Sequence, residues 1–330
     1  MKKAFVTFAA VCAVLVMVSS GFAAPKVTFI VANSSPEDTV TGLMTNKLKE
    51  SLEKKSKGNI AVNVFHNSQL GGDVELTQSV QNGDITIVVQ NTAPQVNFVP
   101  KVAVFDLPNL FTDVKVARKA LDKFIPNLNK EYEKANLKIL GIADQGFRVL
   151  SANKAINKMS DLKGLKIRTM ENKNHMAYWK LLGANPTPLP FSELYLALQQ
   201  GVVQGQENPY EVIVSNKFYE VQKYVINTNH ILHTITITMS KKIYDSLTPE
   251  DKKLVEGVAK EVVVWGRQQA DKRHLERVAI LKKNGVTIID LKPEAVKEMR
   301  AAAEPVYKDI RKSVGDDLVN KLTAAINSSK

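Results

Sequence analysis

The sequence predicts an α/β protein of two lobes, and three observations carry that expectation. Short apolar, β-rich runs alternate with helical periodicity through the first half of the chain, the pattern of a largely parallel sheet. The 330 residues exceed what one hydrophobic core organises, since single cores stop growing at about 250–300 residues. Thirdly, a capped helical pattern beginning at Thr248 is too long to lie on one small lobe.

The elements follow in order. Lys2 and Lys3 precede an apolar stretch over 4–18 broken only by Thr7, shorter than the ~20 residues of a bilayer span. Small residues follow at Ser19, Ser20 and Gly21, so residues 1–23 read as a secretory signal peptide cleaved after Ala23. Removing them takes two lysines and the sole cysteine, Cys12. That leaves 307 residues with a net charge of +10, where the full chain carries +12. No disulfide framework or thiolate metal cluster is then available. Residues 27–31 form a first strand. Val40, Leu43, Met44, Leu48 and Leu52 recur at helical spacing. Strand periodicity returns over 60–65, and Asp73 is placed to cap a short helix that Gly83 closes. Residues 85–89 form a continuous apolar run, as in a strand buried on both faces. A helix over 114–135 and a strand over 137–142 continue the alternation.

A second unit begins near Gln145-Gly146. Residues 147–151 and 165–169 read as strands and 172–182 as a helix. Pro186, Pro188 and Pro190 enforce an extended loop, Ser192 caps a helix ending at Gly201, and 235–239 is another strand. Thr248-Pro249-Glu250-Asp251 combines a capping box with proline at the first helical position. The helix it starts runs to about Lys283 and spans ~50 Å, enough to cross from one lobe to the other.

Enzyme signatures are absent: there is no Gly-Lys-Ser/Thr phosphate loop, no dinucleotide-binding glycine cluster and no Gly-x-Ser-x-Gly elbow. His230 and His233 are three apart, but no third ligand clusters with them, so buried, hydrogen-bonded histidines are expected and no metal. No basic patch interleaves with aromatics as a nucleic-acid surface requires. Two arginines stand out by position. Arg168 ends a strand, where open α/β sheets gather ligands, and Arg148 sits in the short apolar run Phe147-Arg148-Val149-Leu150. The guanidinium fork matches both oxygens of a carboxylate; a surface salt bridge is the alternative use of either.

Beyond this spacing, the residues carry a resemblance. Asp161-Leu162-Lys163-Gly164-Leu165-Lys166-Ile167-Arg168, Ala184-Asn185-Pro186-Thr187-Pro188-Leu189-Pro190-Phe191-Ser192-Glu193-Leu194-Tyr195 and Gly201-Val202-Val203-Gln204-Gly205-Gln206-Glu207-Asn208-Pro209 are similar to the extracytoplasmic solute receptors of TRAP transporters, the DctP type. Lys217-Phe218-Tyr219-Glu220-Val221-Gln222, Asn67-Ser68-Gln69-Leu70-Gly71 and Val104-Phe105-Asp106-Leu107-Pro108 extend the similarity along the mature chain. The resemblance implies a two-lobe periplasmic-binding-protein fold with hinge strands and a lobe-spanning helix. Residues 24–145 with about 234–273 would form one lobe, and 146–233 with about 274–330 the other. It also implies roles: Arg168 clamps a ligand carboxylate, Arg148 is a supporting cation, Asn208 an amide on the same carboxylate and Phe191 an apolar wall. Glu207 is read as a structural partner of the site cations. Gln204 stands where the family usually has Asp. Asn91 and Pro94 replace the acidic and basic residues of sialate-binding members, which disfavours sialate. Asn33, Asn91, Glu171 and His175 could read the far end of a hydroxylated acid, or serve as caps and surface hydrogen bonds. The implied protein is a periplasmic monomer without cofactor that hands a small organic acid to TRAP-type integral membrane subunits. A sugar acid or hydroxylated monocarboxylate leads, with a C4-dicarboxylate as rival. A ligand-presenting sensor and an exported enzyme are the other function classes.

Overall fold

In a computed structural model, residues 26–330 are described; the expected leader and its cleavage after Ala23 lie outside the described residues. The first lobe opens with β1 (Val27–Ala32), α1 (Val40–Lys55), β2 (Ile60–Phe65), α2 (Asp73–Asn82) and β3 (Ile87–Asn91). Thr39 caps α1 by accepting from the Gly42 amide, and Gly42 is required there because a Cβ would lie 2.4 Å from the Pro36 carbonyl. The residue preceding α2 is Gly72, which makes no side-chain cap. Asp73, expected as the cap, is instead the first helical residue, and its carboxylate accepts from Ser34 Oγ at 2.7 Å. The short α3 (Thr92–Gln95) follows β3 at once, capped by Asn91. A 3₁₀ segment (Pro100–Asp106), α4 (Val114–Lys134) and the long β4 (Leu137–Phe147) complete this stretch.

Beyond Arg148 the chain builds a second sheet. It contributes β5 (Val149–Ala152), β6 (Lys166–Thr169), α5 (Lys173–Leu181), β7 (Asn185–Pro188), α6 (Leu194–Gln199), β8 (Gly205–Asn208), α7 (Tyr210–Ser215) and β9 (Tyr224–Ile226). It then returns to the first lobe as β10 (Leu232–Ser240), followed by α8 (Lys241–Ser246) and α9 (Pro249–Lys283). The order of the first sheet is β2-β1-β3-β10-β4, with β10 antiparallel to both neighbours. The second sheet is completed by β11 (Thr287–Ile289) in the order β11-β9-β5-β8-β6-β7, with β5 antiparallel to β8 and β9. Both sheets are therefore mixed, not largely parallel. The cause lies in the connection: β4 carries the chain out of the first lobe and β10 brings it back, so the two must oppose each other. The proline run expected as a loop is the edge strand β7, where proline withholds no needed donor.

The 35 residues of α9 extend about 52 Å. Val255, Val258, Ala259 and Val262 pack with α1 and the first sheet, whereas Leu281 and Val278 join the core under β9 and α7. One helix thus contributes to both lobes. The last helices, α10 (Pro293–Ala302), α11 (Glu304–Val314) and α12 (Asp316–Asn327), do not all stay with the second lobe, where 274–330 was expected. Lys123 of α4 donates to Ser328 O at 2.9 Å and Lys101 to Val314 O at 2.6 Å. The largest apolar core accordingly runs from Leu121 and Phe124 through Ile310 and Leu322 to Trp179.

Candidate carboxylate-binding cleft

A narrow cavity of about 30 Å³ lies between the two sheets, where several strands end. From the second lobe, Arg168, Asn208 and Phe191 line it; from the first come Ser34, Asp73, Gln90 and Asn91, with Gln145 and His233 on the strands joining them.

Arg168 is 2% exposed. Its Nε and Nη2 both donate to Leu189 O, at 2.9 and 2.6 Å, which fixes the plane of the guanidinium. Nη1 is buried with no hydrogen-bond partner among the described residues. The Phe191 ring centre lies 5.9 Å from Cζ. Among the described residues no carboxylate forms an ion pair with it, and burial lowers its pKa to about 10, against the pull of Glu207. The group stays charged at neutral pH, and the residue lines the cavity. A buried cation in that state recruits an anion.

Arg148 is differently employed. It lies at the joint between β4 and β5, fully buried, and does not line the cavity. Nε and Nη2 donate to the two Glu207 carboxylate oxygens and Nη1 to His233 Nδ1. Glu207 also accepts from His230 Nε2 at 3.0 Å, while His230 Nδ1 faces the Thr228 hydroxyl at 2.9 Å. Burial alone would raise the Glu207 carboxyl; Arg148 and the histidines outweigh it and hold the group well below the usual carboxylate range. His175 extends the chain, donating to Asp106 at 3.2 Å. Burial opposes its protonation, but the hydrogen bond to Asp106 and the Glu207 carboxylate 3.8 Å from Nδ1 prevail and raise its pKa to about 9. Two carboxylates and two cations therefore alternate behind the cavity, and Arg148 reaches the cavity only through His233.

Of the other residues singled out from the sequence, Asn208 lines the cavity and its Nδ2 is oriented by Gln206 Oε1 at 2.7 Å. Asn91 also lines it, though its side chain caps α3 and donates to Thr234 O. Asn33, Glu171 and His175 are not among the lining residues. Asn33 is occupied by Thr45, His66 and the Ser35 amide; its neighbours Ser34 and Ser35 face the cavity instead. Glu171 is half-buried beside the cleft, its backbone carbonyl accepting from Asn97. Gln204 accepts from the Lys166 amide at 3.2 Å, a tether at the start of β6. Among the described residues no group of three or more His, Cys, Asp or Glu side chains is arranged to hold a metal ion. Sequence reasoning missed Asp73, Gln90 and Gln145. The last two are polar residues near the carboxyl ends of apolar strands, the signal that singled out Arg168.

The model of the DctP family, described as bacterial extracellular solute-binding protein, family 7, matches residues 31–313. The sugar acid binding protein of Advenella mimigardefordensis strain DPN7T, solved with galactonate, superposes with a TM-score of 0.89 at 30% identity, covering 93% of this chain and 99% of that one. A TRAP periplasmic solute-binding protein from Polaromonas sp. JS666, bound to D-erythronate, gives 0.86 at 34% identity over 90% and 98%. One from Sulfurospirillum deleyianum DSM 6946, bound to succinate, gives 0.85 at 31% over 91% and 99%.

Proposed function

The chain belongs to the bacterial extracellular solute-binding proteins of family 7, and on that footing we propose that it is the periplasmic receptor of a TRAP-type transporter. It captures a small organic acid between its lobes and passes it to the membrane subunits. What carries this reading is Arg168: a buried, charged fork whose Nη1 is unpartnered, at the edge of a cavity that no other arginine or lysine among the described residues lines. A ligand carboxylate takes that donor, the Asn208 amide supports it, and Phe191 closes the wall. Arg148 contributes charge at one remove, through its pairing with Glu207. The receptor does no chemistry; its work is closure, with ligand contacts to both lobes favouring the closed state. We take the lobes as residues 24–145 with about 234–273 and 146–233 with about 274–330, with α11 and α12 packing back onto the first. The mature monomer begins at Ala24, which N-terminal sequencing of exported protein checks; Met1 at its start would refute export with cleavage.

The ligand is a hydroxylated monocarboxylate of the sugar-acid kind. The wall facing Arg168 presents Ser34, Gln90 and Asp73, hydroxyl, amide and acid, without a second cation for a second carboxylate. A C4-dicarboxylate is the rival. The galactonate and erythronate complexes of related proteins favour the former, the succinate complex the latter. A thermal-shift screen of organic acids tests both. A ligand at about 100 times its dissociation constant adds about 2.7 kcal/mol and raises the melting temperature measurably. Stabilisation by aldonates supports the first, by succinate alone the second, and by no acid defeats the receptor reading.

A further inference from the structure

Behind the ligand cavity lies a larger one of about 360 Å³, at the joint where β4, α7 and α9 meet. Phe147, Tyr210, Ala270 and His274 line both this hinge cavity and a narrow passage beside it. A single residue, Gln145, lines the ligand cavity, the passage and the hinge cavity.

The backbone explains why Gln145 stands there. Asp144 pairs with Thr234 and Phe147 with Leu232, so Gln145 and Gly146 together oppose His233 alone. This is a β-bulge, a device that re-aims a side chain beside a site. Gly146 takes φ +88°, which a glycine adopts without strain. Gln145 is 5% exposed, and its Oε1 has no hydrogen-bond partner among the described residues. The side chain is unbranched, and a buried acceptor left unmet favours any rearrangement that gives it a donor.

We propose that Gln145 is the partition that sets how long an acid the cleft accepts, because it separates the carboxylate cavity from a hinge cavity with room for a longer hydroxylated tail. The inference rests on the receptor reading above. The hinge cavity suits such a tail. Tyr210 and His274 meet edge to face at 5.5 Å, and Arg118 is already neutralised by Asp144 and Asp271. Its walls thus offer rings and polar atoms to an uncharged polyol, and no unpaired cation to a second carboxylate.

The test is calorimetric titration of the full mature protein with D-erythronate, D-gluconate and D-glucoheptonate, of four, six and seven carbons. In Gln145→Ala the affinity ratio of the longest acid to the shortest is expected to rise at least about tenfold over wild type. Gln145→Leu, which keeps the bulk of the partition, is expected to leave that ratio within about threefold. Ala270→Phe fills the hinge cavity from α9 without touching the ligand cavity; added to Gln145→Ala it is expected to cancel the gain. Should Gln145→Ala fail to fold, Gln145→Ser makes the same test, shortening the partition while keeping a polar atom. It is expected to raise the ratio in the same direction, and an unchanged ratio counts against the partition. If the wild type binds these acids in an Arg168-dependent way but Gln145→Ala keeps its length profile, the partition is wrong and the receptor reading stands. If the wild type binds none, or Arg168→Ala binds them equally well, both fall.

Discussion

Arg168 and Arg148 look alike in the sequence, each beside a short apolar strand, but physically they are opposites. Arg148 is half of a fully buried pair with Glu207. Removing one member strands the other, at a cost of about 3–5 kcal/mol. Arg148→Ala is therefore expected to lower the unfolding free energy by that order in denaturant titration. Arg168 has no such partner, so Arg168→Ala is expected to leave the unliganded protein within about 1 kcal/mol of wild type or more stable, since it removes a buried charge lacking a counterion. Equal destabilisation by both would contradict this division. The strand-end rule made both arginines legible as candidates. Their partners were not legible, because Glu207 is 59 residues from Arg148 and reaches it only once β5 and β8 pair. His175 gives a pH signature. Its folded pKa, about 9, lies above the ~6.5 of an unfolded chain, so the native state holds an extra proton between those values. Its stabilising contribution is complete below about pH 6.5 and is lost as pH rises through 9. The melting temperature should fall over that window, and His175→Gln should flatten the fall; an unchanged slope would exclude His175 as its source.

At the scale of elements, α9 is the part the sequence announces most plainly, through the cap at Thr248 and proline at the first helical position. Its packing is not announced. A Cβ on Gly266 would lie 2.5 Å from Met44 Sδ, so α1 and α9 touch at that glycine. Gly257, on the exposed side of the same helix, has nothing within 4 Å. Alanine favours a helix by about 1 kcal/mol over glycine, so Gly257→Ala should stabilise by up to that amount. Gly266→Ala should instead destabilise by about 1–3 kcal/mol, because Met44 must move within a packed core. Thermal melts of the two variants should shift in opposite directions; a shift in the same direction would mean that α1 and α9 do not pack as described. The strands β1, β2 and β3 were readable because local periodicity suffices for them. The antiparallel placing of β10 was not, since it follows from a return connection that no window of sequence contains. Likewise the proline run reads as a loop until β6 is there to pair with it.

At the scale of the molecule, several polar contacts bridge the lobes. Asn172 Nδ2 donates to Ala93 O at 2.9 Å and to Asp106 at 2.8 Å, and Asn174 donates to the same carboxylate. On the other side of the cleft, Arg273 and Arg277 of α9 both grip Glu211, and Asp38 of the first lobe lies 3.7 Å from Arg277. Opening the cleft has to break these polar contacts, which a ligand bound to both lobes would offset. Ligand is therefore expected to shift the population towards the closed form and shrink the radius of gyration in solution scattering; an unchanged value at saturation would contradict hinge closure. If Arg168 holds the ligand carboxylate as proposed, binding calorimetry on Arg168→Ala tests it most directly, with D-gluconate or whichever acid stabilises the wild type. Losing this desolvated, charge-assisted contact to Nη1 should cost roughly 1.5–3 kcal/mol, about ten- to 150-fold in affinity, while the cooperative melt without ligand persists. An affinity within about threefold of wild type would show that the carboxylate is not held there.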